Sequence, residues 1–116
     1  MGLDMFLNKV ENNTRTEFAY WRKANQIHNW FVENIQEGKA DCGTYQVSGR
    51  KLKELVNLCK EVLQNFKQAE ELLPTREGFF FGSTAYDEDY YEDLHNTIEQ
   101  LKDIDDEDIY EYTSSW

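Results

Sequence analysis

The sequence predicts an α+β fold, mostly α, with three helices and a small sheet of two or three short strands. Three observations support it. Apolar residues recur at three- and four-residue steps over 17–37, 49–73 and 85–102. Short alternating or aromatic segments at 2–8, 44–47 and 78–82 lie between those stretches. With 116 residues, one proline and no low-complexity linker, the chain suits a single domain.

Along the chain, Leu3, Met5 and Leu7 alternate, which is a short strand signal. Residues 11–16 are polar and read as a loop, with Thr14 or Thr16 available to cap a helix. The first helix is expected over 17–37, with Tyr20, Ala24, Ile27, Phe31 and Ile35 as its core face and Gly38 as its stop. Tyr45 and Val47 suggest a strand, and Ser48 is placed to cap the second helix. That helix has the cleanest stripe, through Leu52, Leu55, Val56, Cys59, Val62, Leu63, Phe66 and Leu73, and Pro74 ends it. Gly78-Phe79-Phe80-Phe81-Gly82 reads as a buried strand or a tightly packed loop. A third helix follows, beginning at Ser83 or Thr84, with Leu94, Ile98 and Leu101 on its core face. The expected division is a globular unit over 1–104 and an acidic, aromatic tail over 105–116, either disordered or folding on a partner.

Charge is unevenly distributed. The net charge is −11, yet residues 1–86 hold 11 acidic and 11 basic side chains. Residues 87–116 hold 12 acids against Lys102 alone, so the whole excess lies there. Phosphates would be repelled by that surface, so direct nucleic-acid binding is not expected and a basic protein partner is. Solubility alone is the plainer use of the same charge. No stretch approaches a membrane span, and the N-terminus lacks the pattern of a signal peptide. Two cysteines without a CxxC pair fit a reducing, cytoplasmic setting.

Two groups of residues could bind something. Tyr86, Asp87, Asp89, Tyr90, Glu92 and Asp93 mix carboxylates with phenols, as a docking surface for Lys or Arg would. Their plainer reading is a solvated helix start with a few buried tyrosines. Trp21, Arg22, Asn25 and His28 place an indole, a cation, an amide and an imidazole near one helix edge, and Cys42 and Tyr45 could join them. Such a set suits a small, planar, nucleotide-like anion, whereas a packed, hydrogen-bonded His28 is the plainer alternative. A His28–Cys42 pair is the minimum for a hydrolase or transferase, but nothing in the spacing brings the two together. Cys59 lies on the core stripe and reads as packing. Glu92 and His95 form a single Glu-x-x-His, and Asp103, Asp105 and Glu107 lack the glycine and final glutamate of a calcium loop, so no metal and no cofactor are expected.

Several segments carry a resemblance. They are Met1 to Leu7; Tyr20-Trp21-Arg22-Lys23-Ala24-Asn25 with Ile27-His28 and Trp30-Phe31-Val32; Asp41-Cys42-Gly43 with Tyr45 and Val47-Ser48; and Gly78 to Thr84 with Tyr86-Asp87-Glu88, Tyr90 and Asp93-Leu94. Over nearly its whole length the chain resembles a family of small phage and prophage proteins; the segment after Lys102 matches least. The resemblance implies an accessory phage role, with defence evasion or host takeover as its natural forms, and no particular activity. The expected function is therefore a non-enzymatic inhibitor of a host system, an antiviral defence being one candidate, that binds a host protein through the acidic, aromatic surface. Sequestration of a small nucleotide-like molecule and a small His28 enzyme are the alternatives. Surplus aromatics on the first helix also allow a homodimer.

Overall fold

The computed structural model describes residues 2–116. Strand β1, Asp4–Glu11, and strand β2, Thr14–Arg22, form a hairpin. Its turn is only Asn12-Asn13, at φ 50° and 67°. Two left-handed residues in tandem make the tight turn whose twist suits antiparallel strands, and asparagine tolerates that conformation. Helix α1, Asn25–Asn34, follows, then β3, Thr44–Ser48, and α2, Gly49–Gln64. A 3-10 turn at Phe66–Gln68 and the short helix α3, Ala69–Leu72, lead to an irregular loop. Helix α4, Glu88–Leu101, and β4, Ile109–Ser115, complete the chain.

The strands form one antiparallel sheet in the order β2-β1-β4-β3. Alternation decides its faces. Met5, Leu7, Ala19, Trp21, Val47, Tyr110 and Tyr112 point into the core with the helices, while Asp4, Phe6, Tyr20, Glu111 and Thr113 occupy the other face. The outer edge of β2 is blunted by α4: Gln100 Nε2 donates to the Tyr20 carbonyl and Gln100 Oε1 accepts from the Tyr20 N–H, both at 2.9 Å. One side-chain amide thus occupies backbone groups that another strand could use.

Several expectations are corrected. The chain is not mostly α with two or three short strands; four helices share the fold with a four-stranded sheet. The expected first helix, 17–37, divides into β2 and a shorter α1. A bulge between Leu7 and Asn8 leaves Phe18 without a partner on β1, so Phe18 packs inward, edge-on to Tyr110, beside buried Ala19 and Trp21. That extra residue breaks the period of two and imitates a helical spacing. The second helix stops at Asn65 (φ −140°), where the chain turns so that Phe66 packs on Tyr91 at 3.9 Å between ring centroids. Residues 78–82 are not a strand but a turn, with the Phe81 N–H donating to the Gly78 carbonyl at 3.1 Å. The third helix starts at Glu88, because the Asp87 side chain, not Ser83 or Thr84, caps it. Ser48 does cap α2, accepting from the Lys51 N–H at 3.1 Å.

The largest correction concerns the tail. Residues 109–115 are an inner strand, paired with β1 on one side and β3 on the other. Alternation explains the acidic, aromatic composition. Tyr110 and Tyr112 are fully buried, while Glu111 faces outward and binds Arg15 in two hydrogen bonds of 2.8 and 3.0 Å. The radius of gyration, 13.4 Å, matches the roughly 13 Å of a compact domain this long. Deleting 109–116 should therefore remove the cooperative transition in a thermal melt followed by circular dichroism. A dispensable tail would leave the midpoint unchanged.

Candidate binding cleft

Helix α1 is buried all round, from Asn25 to Val32. Its polar side chains must find partners inside the protein, and most find them in the loop between α3 and α4. Asn25 Nδ2 donates to the carbonyls of Phe81 and Ser83, both at 2.9 Å, and Asn25 Oδ1 accepts from the Arg76 N–H at 3.0 Å. Asn29 Oδ1 accepts from Arg76 Nη1 at 2.8 Å. Gln26 Nε2 reaches the Tyr90 carbonyl at 3.3 Å and Asp93 Oδ2 at 3.2 Å. Side-chain amides thus hold a loop that has no sheet partner.

The held loop and the start of α4 enclose a cleft of about 320 Å³. Asp87, Asp89, Glu92 and Asp93 form one wall, and Arg22 and Lys23, at the end of β2, form another. Gln26, Thr75, Ser83 and Tyr90 complete it. Asp93 is half-buried, and its pKa is pushed up to about 6, chiefly by loss of hydration. The Gln26 hydrogen bond opposes this rise, while the carboxylates of Asp89, Glu92 and Asp87 add to it. The Arg22 guanidinium donates to Asp4 at 2.6 Å, which draws its positive charge toward the outer sheet face.

Ion pairing sharpens the charge map. Glu99, Asp106, Asp108 and Glu111 pair with Lys102, Lys53, Lys9 and Arg15. Among the described residues, no acid of 87–93 takes part in an ion pair. Five carboxylates without an ion pair thus fall within 87–93, against three (Asp103, Asp105 and Glu107) in the rest of the C-terminal segment, and the positive end of the helix dipole adds to Arg22 and Lys23 as their local counterweight.

Of the first expected group, four carboxylates line the cleft and the two phenols turn inward. Tyr90 is buried and its hydroxyl donates to the Leu73 carbonyl, while Tyr86 accepts from the Thr75 N–H at 3.2 Å. Neither is an exposed docking aromatic. The second group does not converge. Trp21 is buried, with Nε1 donating to Thr97 Oγ1 at 2.9 Å. Asn25 is spent on the loop, and Arg22 lies on the opposite sheet edge from Tyr45, whose hydroxyl donates to Asp41 at 2.8 Å. His28 is fully buried beneath Phe81 and Trp116, with Nδ1 sharing a 2.6 Å hydrogen bond with the Tyr112 hydroxyl. Cys42 is exposed, and its carbonyl lies against Thr113 on the outer sheet face, whereas His28 is buried in the core. Cys59 is buried, with its thiol pushed up to about 12 by burial, as packing requires.

The sequence reading missed Lys23, Gln26, Thr75 and Ser83 as cleft residues. Lys23 turns the chain from β2 into α1 at a left-handed φ of 56°, which only the fold reveals; none of the four has a local signal in the sequence. Among the described residues, no group of three or more His, Cys, Asp or Glu side chains is arranged to hold a metal, and no helix is long and apolar enough to cross a membrane. No family model, curated protein or solved structure matches this chain.

The packed state of His28 has two measurable consequences. His28→Ala leaves a void and strands the Tyr112 hydroxyl, so it should cost about 2–4 kcal/mol of stability in a denaturant titration. Burial, aided by the Arg76 charge, pushes the His28 pKa down from 6.5 to about 4. The unfolded chain then binds the proton first as pH falls, so stability from this group is full above 6.5 and is lost down to about 4. His28→Gln should flatten that part of the Tm–pH curve; an unchanged slope would assign the dependence to other groups.

Proposed function

We propose that this chain acts by binding, as a phage-type accessory protein that blocks a component of a bacterial host through the acidic wall at the start of α4. The target is a host protein presenting Lys or Arg, and the setting is the host cytoplasm. The observation that carries this reading is the concentration of unpaired carboxylates at Asp87, Asp89, Glu92 and Asp93 on one cleft wall. Like charges held together are costly, and here they add to the rise that burial imposes on the Asp93 pKa. An arriving cation relieves that repulsion and gains steering at a distance. The phage resemblance supplies the biological setting, and evasion of an antiviral defence is the role it suggests.

The test compares wild-type protein with Asp89→Lys/Glu92→Lys as baits in bacterial host lysate. Asp87 is left intact because it caps α4. A partner of the proposed kind is retained by the wild type at 0.1 M salt and lost at 1 M, where screening shortens from about 10 to about 3 Å. The double variant should bind it at least about tenfold more weakly. Equal retention by both baits would sink the reading.

Asp93 adds a pH signature. Its folded pKa lies above the ordinary 3.8, so its stabilising contribution is full below 3.8 and is lost as pH rises through about 6. Asp93→Asn should therefore raise Tm at pH 7 relative to wild type and change it little at pH 4. A cation in the cleft favours ionised Asp93, so partner affinity should rise between pH 5 and 7 in the wild type and less so in Asp93→Asn.

A further inference from the structure

Phe79 is 96% exposed, an unusual position for a large apolar side chain. It is not on a loose loop. It occupies the first central position of the Gly78–Phe81 turn, closed by the Phe81 N–H to Gly78 carbonyl bond. The Leu3 N–H donates to the Phe80 carbonyl at 2.8 Å, and Asn25 holds the Phe81 carbonyl. Gly78 is required there, because a Cβ would stand 2.6 Å from the buried Phe81 ring. The turn is thus fixed around its tip, and Phe79 is held out as a pre-ordered anchor. The same loop returns through Gly82, Ser83 and Ala85, which line the cleft beside Asp87, Asp89 and Glu92. An exposed aromatic ring therefore stands on the same loop as the rim of the acidic cleft, three residues before Gly82.

A second surface has the opposite character. Between α2 and α4 lies a groove of about 240 Å³, floored by Val56, Ile98, Leu101 and Ile104 and rimmed by Lys53, Lys60 and Lys102. Lys53 binds Asp106 and Lys102 binds Glu99, each at 2.6 Å. Lys60 has no ion pair among the described residues. One surface presents an apolar knob beside acids, and the other an apolar groove beside a free cation.

The two surfaces lie toward opposite ends of α4, which is about 21 Å long for its 14 residues. Phe79 therefore does not serve the groove of its own chain. We propose that copies of this chain associate head to tail, with Phe79 of one copy entering the α2–α4 groove of the next and the acidic wall facing Lys60. Such a contact joins unlike surfaces and does not close on itself at two copies. The net charge of −11 opposes close approach, so the association is weak and strongly dependent on concentration. It does not depend on a host partner, although that partner would compete for the same acidic wall.

Sedimentation velocity on the full chain tests this. The wild type should exceed its monomer mass of 13.8 kDa as concentration rises, without a plateau at the dimer. Phe79→Asp removes the knob and Lys60→Glu spoils the groove, and both positions are exposed, so each variant should fold and stay monomeric. Mixed together, they retain one good knob and one good groove, and should form a 1:1 dimer that grows no further. A wild type monomeric at millimolar concentration, a Phe79→Asp variant that associates as the wild type does, or a mixture that stays monomeric would each overturn the proposal. A monomeric wild type whose groove amide signals shift on adding N-acetylphenylalaninamide would assign the groove to a foreign ligand or partner instead, which also overturns it.

Discussion

Helix α1 lies wholly inside the protein, and four of its eight consecutive buried residues are polar: Asn25, Gln26, His28 and Asn29. A buried amide without a partner costs about 1–3 kcal/mol, so each must be met by another part of the chain. Most of the remaining structure can be read as the answer. The loop from Pro74 to Ser83 is folded onto Asn25 and Asn29, the start of α4 onto Gln26, and the inner strand β4 onto His28 through Tyr112. The cleft exists because the first two of these attachments lie side by side. A single core helix with a polar stripe therefore links the sheet, the loop and the acidic wall.

The sheet and the cleft also divide the charge between them. Four acids of the C-terminal third are compensated: Glu111 by Arg15, Asp108 by Lys9, Asp106 by Lys53 and Glu99 by Lys102. These pairs are at least partly exposed and each contributes little stability. Their collective effect on the map is larger. They remove negative charge from the sheet side and leave it at the start of α4. An excess spread over 30 residues in sequence is thinned along 99–111 and left whole at 87–93, where five carboxylates without ion pairs fall within seven residues.

Rigidity is placed next to that focus. Gly78, packed on the Phe81 ring, and Gly82, at φ 83° against the Lys23 side chain, let the loop follow a path that a Cβ would obstruct. The aromatic run between them is thereby split into three roles: Phe81 is core, Phe80 is half-buried and Phe79 faces solvent. A binding surface built on a fixed loop loses less entropy on contact than one that must order first.

What was legible in the sequence follows from local physics. The α2 stripe with its Ser48 cap, the alternation of β1, the packing role of Cys59 and the partition of charge each depend on residues close together in the chain. Non-local pairing hid the rest. The β2 bulge at Phe18 gave a helical spacing to a strand, and only its register against β1 shows otherwise. Tyr110 and Tyr112 are interior residues because β1 and β3 flank them, and both partners lie more than 60 residues away in sequence. The cleft gathers the end of β2, the start of α1, the 75–85 loop and α4, which share no sequence pattern. The sequence by itself determined which segments carry apolar faces and where the net charge resides. The tertiary structure decided which of those faces became strands, and which charges remained unpaired, because both depend on partners that only the fold brings together.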